Sequence, residues 1–155
     1  VGDFTVDSQD EIARWERSDP AVIWEQYFAL LAEAAATGLF DVIGHADLVK
    51  KFGFRPEGDR HRWYEAFLQE AARAGVAIEL NTAGLRKRCA EVYPGLDMLR
   101  LARAHGVPIS FGSDGHRPHE VGLGFEEAVA LARIAGYREY THFHRGRRRE
   151  VRALP

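Results

Sequence analysis

Short apolar runs alternate with longer segments of helical period along this chain. That alternation restricts it to folds in which parallel strands are joined by crossover helices. Ser8-Gln9-Asp10-Glu11 has the form of a capping box, followed by Ile12 and Trp15 at helical spacing. Asp19-Pro20 opens a second helix, in which Val22, Ile23, Tyr27, Leu30 and Leu31 keep the 3.6 period and Gly38 closes it. Phe40 to Gly44 reads as a strand ending at His45, and a helix spans about Arg60 to Ala74. A second strand covers Val76 to Asn81, Pro94 opens a helix that ends at Gly106, and Val107 to Phe111 forms a third strand. After a loop with Pro118 and Gly122, a helix covers Phe125 to Ala135. Glu139 to His144 reads as a fourth parallel strand, and a turn at Gly146 leads to a last strand over Glu150 to Leu154. Apolar stretches such as Val42-Ile43 and Val107 to Phe111 suit parallel strands buried on both faces. An α/β barrel and an open α/β sheet both fit this pattern.

At 155 residues and 46% hydrophobic content the chain has the size of one domain with a sizeable core. A net charge of −2 gives no overall attraction to nucleic acid or to an anionic membrane. The local basic runs are Arg86-Lys87-Arg88 and Arg145 to Arg149, the second reading as solvated surface. Cys89 is alone, which rules out an internal disulfide and fits a reducing cytoplasm. No apolar run approaches the roughly 20 residues a membrane-spanning helix needs. The chain starts Val1-Gly2-Asp3-Phe4, without Met.

The reactive side chains are grouped. His45 and Asp47 follow the first strand, with Lys50 and Lys51 just beyond. Asn81 and Thr82 end the second strand, with Arg86 further on. Ser113, Asp114 and His116 follow the third. In parallel α/β folds the carboxyl ends of the strands converge on one edge, where sites form. His45, Asp114 and His116 are imidazole and carboxylate donors suited to Zn, Mn or Fe. Asp114 and His116 face the same way on an extended strand end and diverge in a tight turn. Arg86, Lys50 and Lys51 are cations near these donors and suggest an anionic substrate, with Arg suited to a two-donor grip on phosphate. Gly84 permits a sharp turn that brings N–H groups toward an anion. Taken singly, each residue has a plainer reading: a hydrogen-bonded structural His, an Asp that starts a turn, a surface cation. Of the other histidines, His61 and His105 fall in helices and read as exposed, His119 as surface loop, and His142 or His144 as lining one face of the fourth strand.

Four segments in order resemble the histidinol-phosphate phosphatases of the PHP family: Gly44-His45-Ala46-Asp47-Leu48-Val49-Lys50-Lys51-Phe52, Glu79-Leu80-Asn81-Thr82-Ala83-Gly84-Leu85-Arg86, Tyr93-Pro94 and Ser113-Asp114-Gly115-His116. The resemblance covers nearly the whole chain. It implies the C-terminal portion of a distorted (β/α)7 TIM-like barrel, with about four parallel strands, crossover helices and a C-terminal hairpin. It implies metal-dependent hydrolysis of L-histidinol phosphate in histidine biosynthesis, at a trinuclear centre of divalent metals (Zn, Mn or Fe). His45, Asp114 and His116 are similar to ligands of three separate metals. Arg86, Lys51 or Lys50, Asn81 and Asp47 match the substrate-binding positions. The usual Ser-Asp-Ala-His motif has Gly115 in place of Ala, which is expected to keep the ligands and loosen the backbone.

The resemblance also implies a departure. Members of the family begin with a His-x-His strand and supply a further His, a bridging Glu and another His before the region this chain matches. The expectation is therefore a single partial PHP domain over 1–155, with the N-terminal half of the barrel absent and little activity alone. It would be completed by a complementary N-terminal segment or by self-association. Other PHP phosphoesterases and a non-catalytic half-barrel are the competing expectations.

Overall fold

The computed structural model describes residues 1–144 and 148–155. The elements are α1 (Ile12–Trp15), α2 (Pro20–Ala36), β1 (Val42–Ile43), α3 (His61–Ala74), β2 (Ala77–Asn81), α4 (Leu96–Ala104), β3 (Ile109–Gly112), α5 (Phe125–Ile134), β4 (Glu139–His144) and β5 (Arg148–Ala153). Short 3-10 turns lie at Gln9–Glu11, Leu48–Lys50, Thr82–Arg86 and Pro118–Glu120. Asp19 caps α2 as its carboxylate accepts from the Ala21 N–H at 2.8 Å, with Pro20 at the first helical position. Ser8 caps the tighter 3-10 turn, accepting from the Asp10 N–H at 3.2 Å, so the helix expected there begins only at Ile12.

β1, β2 and β3 form a parallel sheet in that order, with Ile43 beside Ile78 and Asn81 beside Gly112. Helices link them, as crossover geometry requires. The fourth parallel strand is not found. β4 instead pairs antiparallel with β5 in a separate two-stranded sheet, Thr141 opposite Val151. The reason is legible in its residues. Glu139, Tyr140, His142 and His144 make β4 polar along most of its length, and only Thr141 in it is buried. A strand of that kind suits a two-stranded ribbon, not the doubly covered interior of a parallel sheet. The hairpin is therefore as expected, while its attachment to the sheet is not. The turn expected at Gly146 lies outside the described residues. The hairpin is tied to the rest of the chain by Arg149, which donates to the Gly75 carbonyl at 2.6 Å and lies 3.4 Å from Asp41. The Tyr140 ring also meets Phe111 edge-on at 5.4 Å.

The core is aromatic on one side of the sheet. Trp24, Phe28, Tyr64 and Phe67 interlock between α2 and α3, with Trp24–Phe28 at 5.9 Å and Phe28–Tyr64 at 5.1 Å. Such edge-on and tilted pairs add to the roughly 1.5–3 kcal/mol that burying each large side chain contributes. The indole N–H groups are satisfied: Trp15 donates to the Val6 carbonyl and Trp24 to that of Phe54, both at 3.1 Å. This packing holds the sheet rigid, so that the loop after each strand is presented at one edge. Among the described residues no helix is long and apolar enough to cross a membrane.

Candidate functional site

Because the three strands are parallel, the residues that come after Ile43, Asn81 and Gly112 share the carboxyl edge of the sheet. There His45 Nε2 lies 3.3 Å from Asp114 Oδ2, joining the loops after β1 and β3 across 69 residues of sequence. Both residues have left-handed backbone, with φ of 48° and 45°. Non-glycine residues adopt that conformation at a cost of roughly 1–2 kcal/mol, and such strain gathers at sites where side-chain direction matters more than stability. On its other side, His45 Nδ1 lies 3.8 Å from Glu79 Oε2. Tyr93, bridged to Asn81 by two backbone hydrogen bonds of 2.6 and 2.9 Å, sets its ring 5.8 Å from that of His45. Burial, with the contact to the Cys89 sulfur as a second cause, raises the Tyr93 phenol well above its ordinary range, so it stays neutral. Burial does the same to Tyr27, which donates to the His45 carbonyl at 3.4 Å.

The turn after β3 is held from within. Ser113 Oγ accepts from the Gly122 N–H at 3.0 Å, and Glu120 accepts from the N–H groups of His116 and Arg117 at 2.8 and 3.2 Å. Donation by the His116 N–H, opposed by slight desolvation, keeps the Glu120 carboxyl below its ordinary value. The His116 ring projects outward, with its Nδ1 2.9 Å from the Asp114 carbonyl. Gly115 is closely packed in this turn. A Cβ there would lie 3.1 Å from the Glu120 carbonyl carbon, tighter than ordinary packing.

Arg86, at the end of the turn after β2, reaches this edge. One guanidinium nitrogen donates to the Ser113 carbonyl at 2.9 Å, with the Asp114 carbonyl at 3.4 Å. Its other terminal nitrogen, Nη1, is buried and has no hydrogen-bond partner among the described residues. Gly84 is required by close approach: a Cβ there would collide with the Glu91 carbonyl and the Tyr93 ring.

The remaining site residues lie elsewhere. Lys50 is buried, 2.8 Å from Asp47 and 3.1 Å from Glu91, and donates to the Val92 carbonyl at 2.9 Å. Asp47 also accepts from the Gly95 N–H, while Arg55 pairs with Glu91 at 2.9 Å. Asp47 and Lys50 thus tie the loop after β1 to the segment before α4, their charges meeting each other and Glu91, while Lys50 Nζ lies 5.3 Å from the Tyr93 ring. Lys51 donates to the Asp7 carbonyl at 2.7 Å. Asn81 accepts from the Ala83 N–H and donates to Glu79, both at 2.9 Å, so it shapes the turn that carries Arg86. His61 is exposed and His105 is paired with Glu65 at 2.9 Å. His142 and His144 lie on the hairpin, with His144 2.8 Å from Glu150. Glu79 is the site residue that sequence reasoning misses, although a carboxylate inside the otherwise uncharged strand Ala77–Asn81 is the signal that marks it.

His45 and Asp114 offer a nitrogen and an oxygen donor side by side. Among the described residues, no set of three His, Cys, Asp or Glu side chains is positioned to hold a metal ion. The donors here therefore fit part of a metal site and fall short of the three protein ligands such a site usually has.

No family model matches the chain. It is 41% identical over 145 residues to a protein of Deinococcus radiodurans named as a probable histidinol-phosphatase, covering 94% of this chain and 55% of that one. It is 29% identical over 113 residues to the histidinol-phosphatase of Bacillus subtilis, covering 67% of this chain and 42% of that protein. In three dimensions it is similar to hisK of Listeria monocytogenes, a histidinol phosphatase by assignment, with a TM-score of 0.56 and 26% identity over 67% of this chain and 44% of that one. The fold and the polar carboxyl edge define a parallel α/β protein whose strand-to-helix loops build the site. Within that class the chain is similar over nearly its whole length to histidinol-phosphatases, a likeness that supports the PHP family as its own. It spans about half the length of the curated relatives it matches.

Proposed function

We propose that this chain forms part of a metal-dependent phosphomonoesterase that hydrolyses L-histidinol phosphate to histidinol and phosphate. The observation that carries this reading is the unpartnered Nη1 of Arg86 at the edge shared by His45 and Asp114. A buried guanidinium N–H without an acceptor is costly, and a phosphate oxygen is the acceptor it suits best. Arg86 holds the phosphate and spreads its charge, while the Ser113 carbonyl fixes the guanidinium plane. His45, Asp114 and His116 are this chain's contribution to the metal ligands. A divalent metal supplies neutralisation of the phosphoryl oxygens and a lowered pKa for water.

The likeness to proteins of about twice the matched length, together with the short ligand set, supports a larger (β/α)7 barrel. The sheet described here is then its C-terminal portion, and the remaining ligands come from a complementary segment or a second copy. The substrate is a small phosphorylated molecule, and no nucleic acid or membrane is involved.

The test is phosphate release from L-histidinol phosphate with Mn or Zn. It is measured on this chain alone and on the chain extended to the length of its relatives. The expected result is release by the extended protein and little by the short chain. If the extended protein releases no phosphate from this substrate, the reading fails.

A further inference from the structure

We propose that Glu79 is a positioning residue that fixes the His45 imidazole in register with Asp114. This rests on the reading of His45 and Asp114 as site residues, and it assigns a role to a carboxylate that the phosphatase reading does not use. Glu79 is the one charged residue of β2, between Ile78 and Leu80, which are fully buried. Glu79 itself is partly buried, its side chain 22% exposed, and a partly desolvated carboxylate carries a cost unless something there uses its charge.

The space it occupies is made for it. On β3, a Cβ at Gly112 would land on Glu79 Oε1, and beyond β1 a Cβ at Gly44 would lie 3.3 Å from Oε2. Glycines on both flanking segments thus leave a slot in the sheet that the carboxylate fills. From that slot Oε2 accepts from Asn81 Nδ2 at 2.9 Å and faces His45 Nδ1 at 3.8 Å. Asp114 lies 3.3 Å from Nε2, so the two nitrogens of one ring are bracketed by two carboxylates. Tyr93 lies alongside the ring and Tyr27 donates to the backbone of the same residue. A carboxylate beside the second nitrogen of a working imidazole sets which way the ring faces. Asn81 aims the carboxylate, so Glu79–His45–Asp114 is a chain running across all three strands.

The experiment reads the ring directly. The 15N and ring-proton NMR signals of His45 are followed in the 155-residue chain and assigned by their loss in His45→Gln. Glu79→Gln preserves shape and the Asn81 contact but removes the charge, and it should shift the His45 nitrogen signals while leaving those of His61 and His105 in place. Glu79→Asp, a shorter carboxylate, should shift them less. Gly112→Ala leaves Glu79 in the sequence but fills its slot, and it should reproduce the His45 shift. Combined with Glu79→Ala, it should add nothing further, because both changes remove one interaction. Circular dichroism shows which variants fold, and each folded one is read by itself. Unchanged His45 signals in folded Glu79→Gln, or in folded Gly112→Ala, would overturn the proposal. No turnover is needed, so the result stands apart from the fate of the phosphatase reading.

Discussion

Asp47, Lys50, Glu91 and Arg55 form a chain of opposite charges in which each ion has a counter-ion within 3.1 Å. Elsewhere on the same loops and on the loop after β3, His45, Arg86 and Asp114 meet at the sheet edge, with left-handed backbone at His45 and Asp114 and a guanidinium nitrogen left without a partner among the described residues. Both regions draw charged residues from the loops after β1 and β2, and the second adds Asp114 from the loop after β3. In the first, charge is neutralised internally and ties the β1 loop to the segment before α4. In the second, charge is presented and left incomplete. Each region leaves one buried polar atom without a partner among the described residues, Asp47 Oδ1 in the first and Arg86 Nη1 in the second; what separates them is the direction of the side chains, which close on one another in the first and meet at the sheet edge in the second.

That contrast can be broken most forcefully at Lys50. Removing one partner of a buried ion pair leaves a stranded charge and typically costs about 3–5 kcal/mol. Lys50→Ala should therefore lower the free energy of unfolding by about that amount in urea titration. The paired apolar replacement, Lys50→Met with Asp47→Leu, should recover most of it. A small loss in Lys50→Ala would mean that Lys50 is not structural. Arg86→Ala should do the reverse. Losing a charge-assisted contact worth about 1.5–3 kcal/mol should weaken orthophosphate binding by about 10-fold or more, with the urea midpoint nearly unmoved.

A pH titration sharpens the same comparison. Partial burial pushes the Glu91 carboxyl upward, but the adjacent Lys50 and Arg55 charges pull it below its ordinary value of 4.5. A carboxyl depressed in the folded state contributes stability that is present above its unfolded value and is lost as pH falls through the folded one. Stability should accordingly decline below about pH 4.5, and Glu91→Gln should flatten that acid limb. Glu150 on the hairpin is held lower still, at about 2, by hydrogen bonds from Arg152 and then His144, but it is fully exposed and screening makes its share small. The smallest effect is expected at Asp114. Glycine tolerates its φ of 45° where alanine does not, so Asp114→Gly should be more stable than Asp114→Ala by about 1 kcal/mol, as read from melting temperatures.

Much of the site's placement is legible in the sequence. The alternation of apolar runs and helical segments puts His45, Asn81 and Asp114 at strand ends, and parallel pairing then puts strand ends at one edge. β4 departs from expectation because a strand's partner is set by what covers its faces, and its mixed polarity matches a ribbon better than a sheet interior. Lys50 and Lys51 cannot be separated from Arg86 as cations, since residue type carries no direction. Only the fold shows Lys50 turning inward to Asp47 while Arg86 reaches Ser113. Glu79 carries a local mark, a carboxylate in an otherwise uncharged strand, but its slot becomes visible only with the glycines of two neighbouring segments beside it, a relation that spans 68 residues from Gly44 to Gly112.

The most direct test of the contrast is 31P NMR of L-histidinol phosphate titrated against the wild-type chain, Arg86→Ala and the Lys50→Met, Asp47→Leu pair. The expected result is saturable perturbation of the phosphorus signal by the wild type and by the paired variant, and its loss with Arg86→Ala. Equal binding by Arg86→Ala and the wild type, or binding lost only in the paired variant, would contradict it and move the anion seat to the buried ion chain.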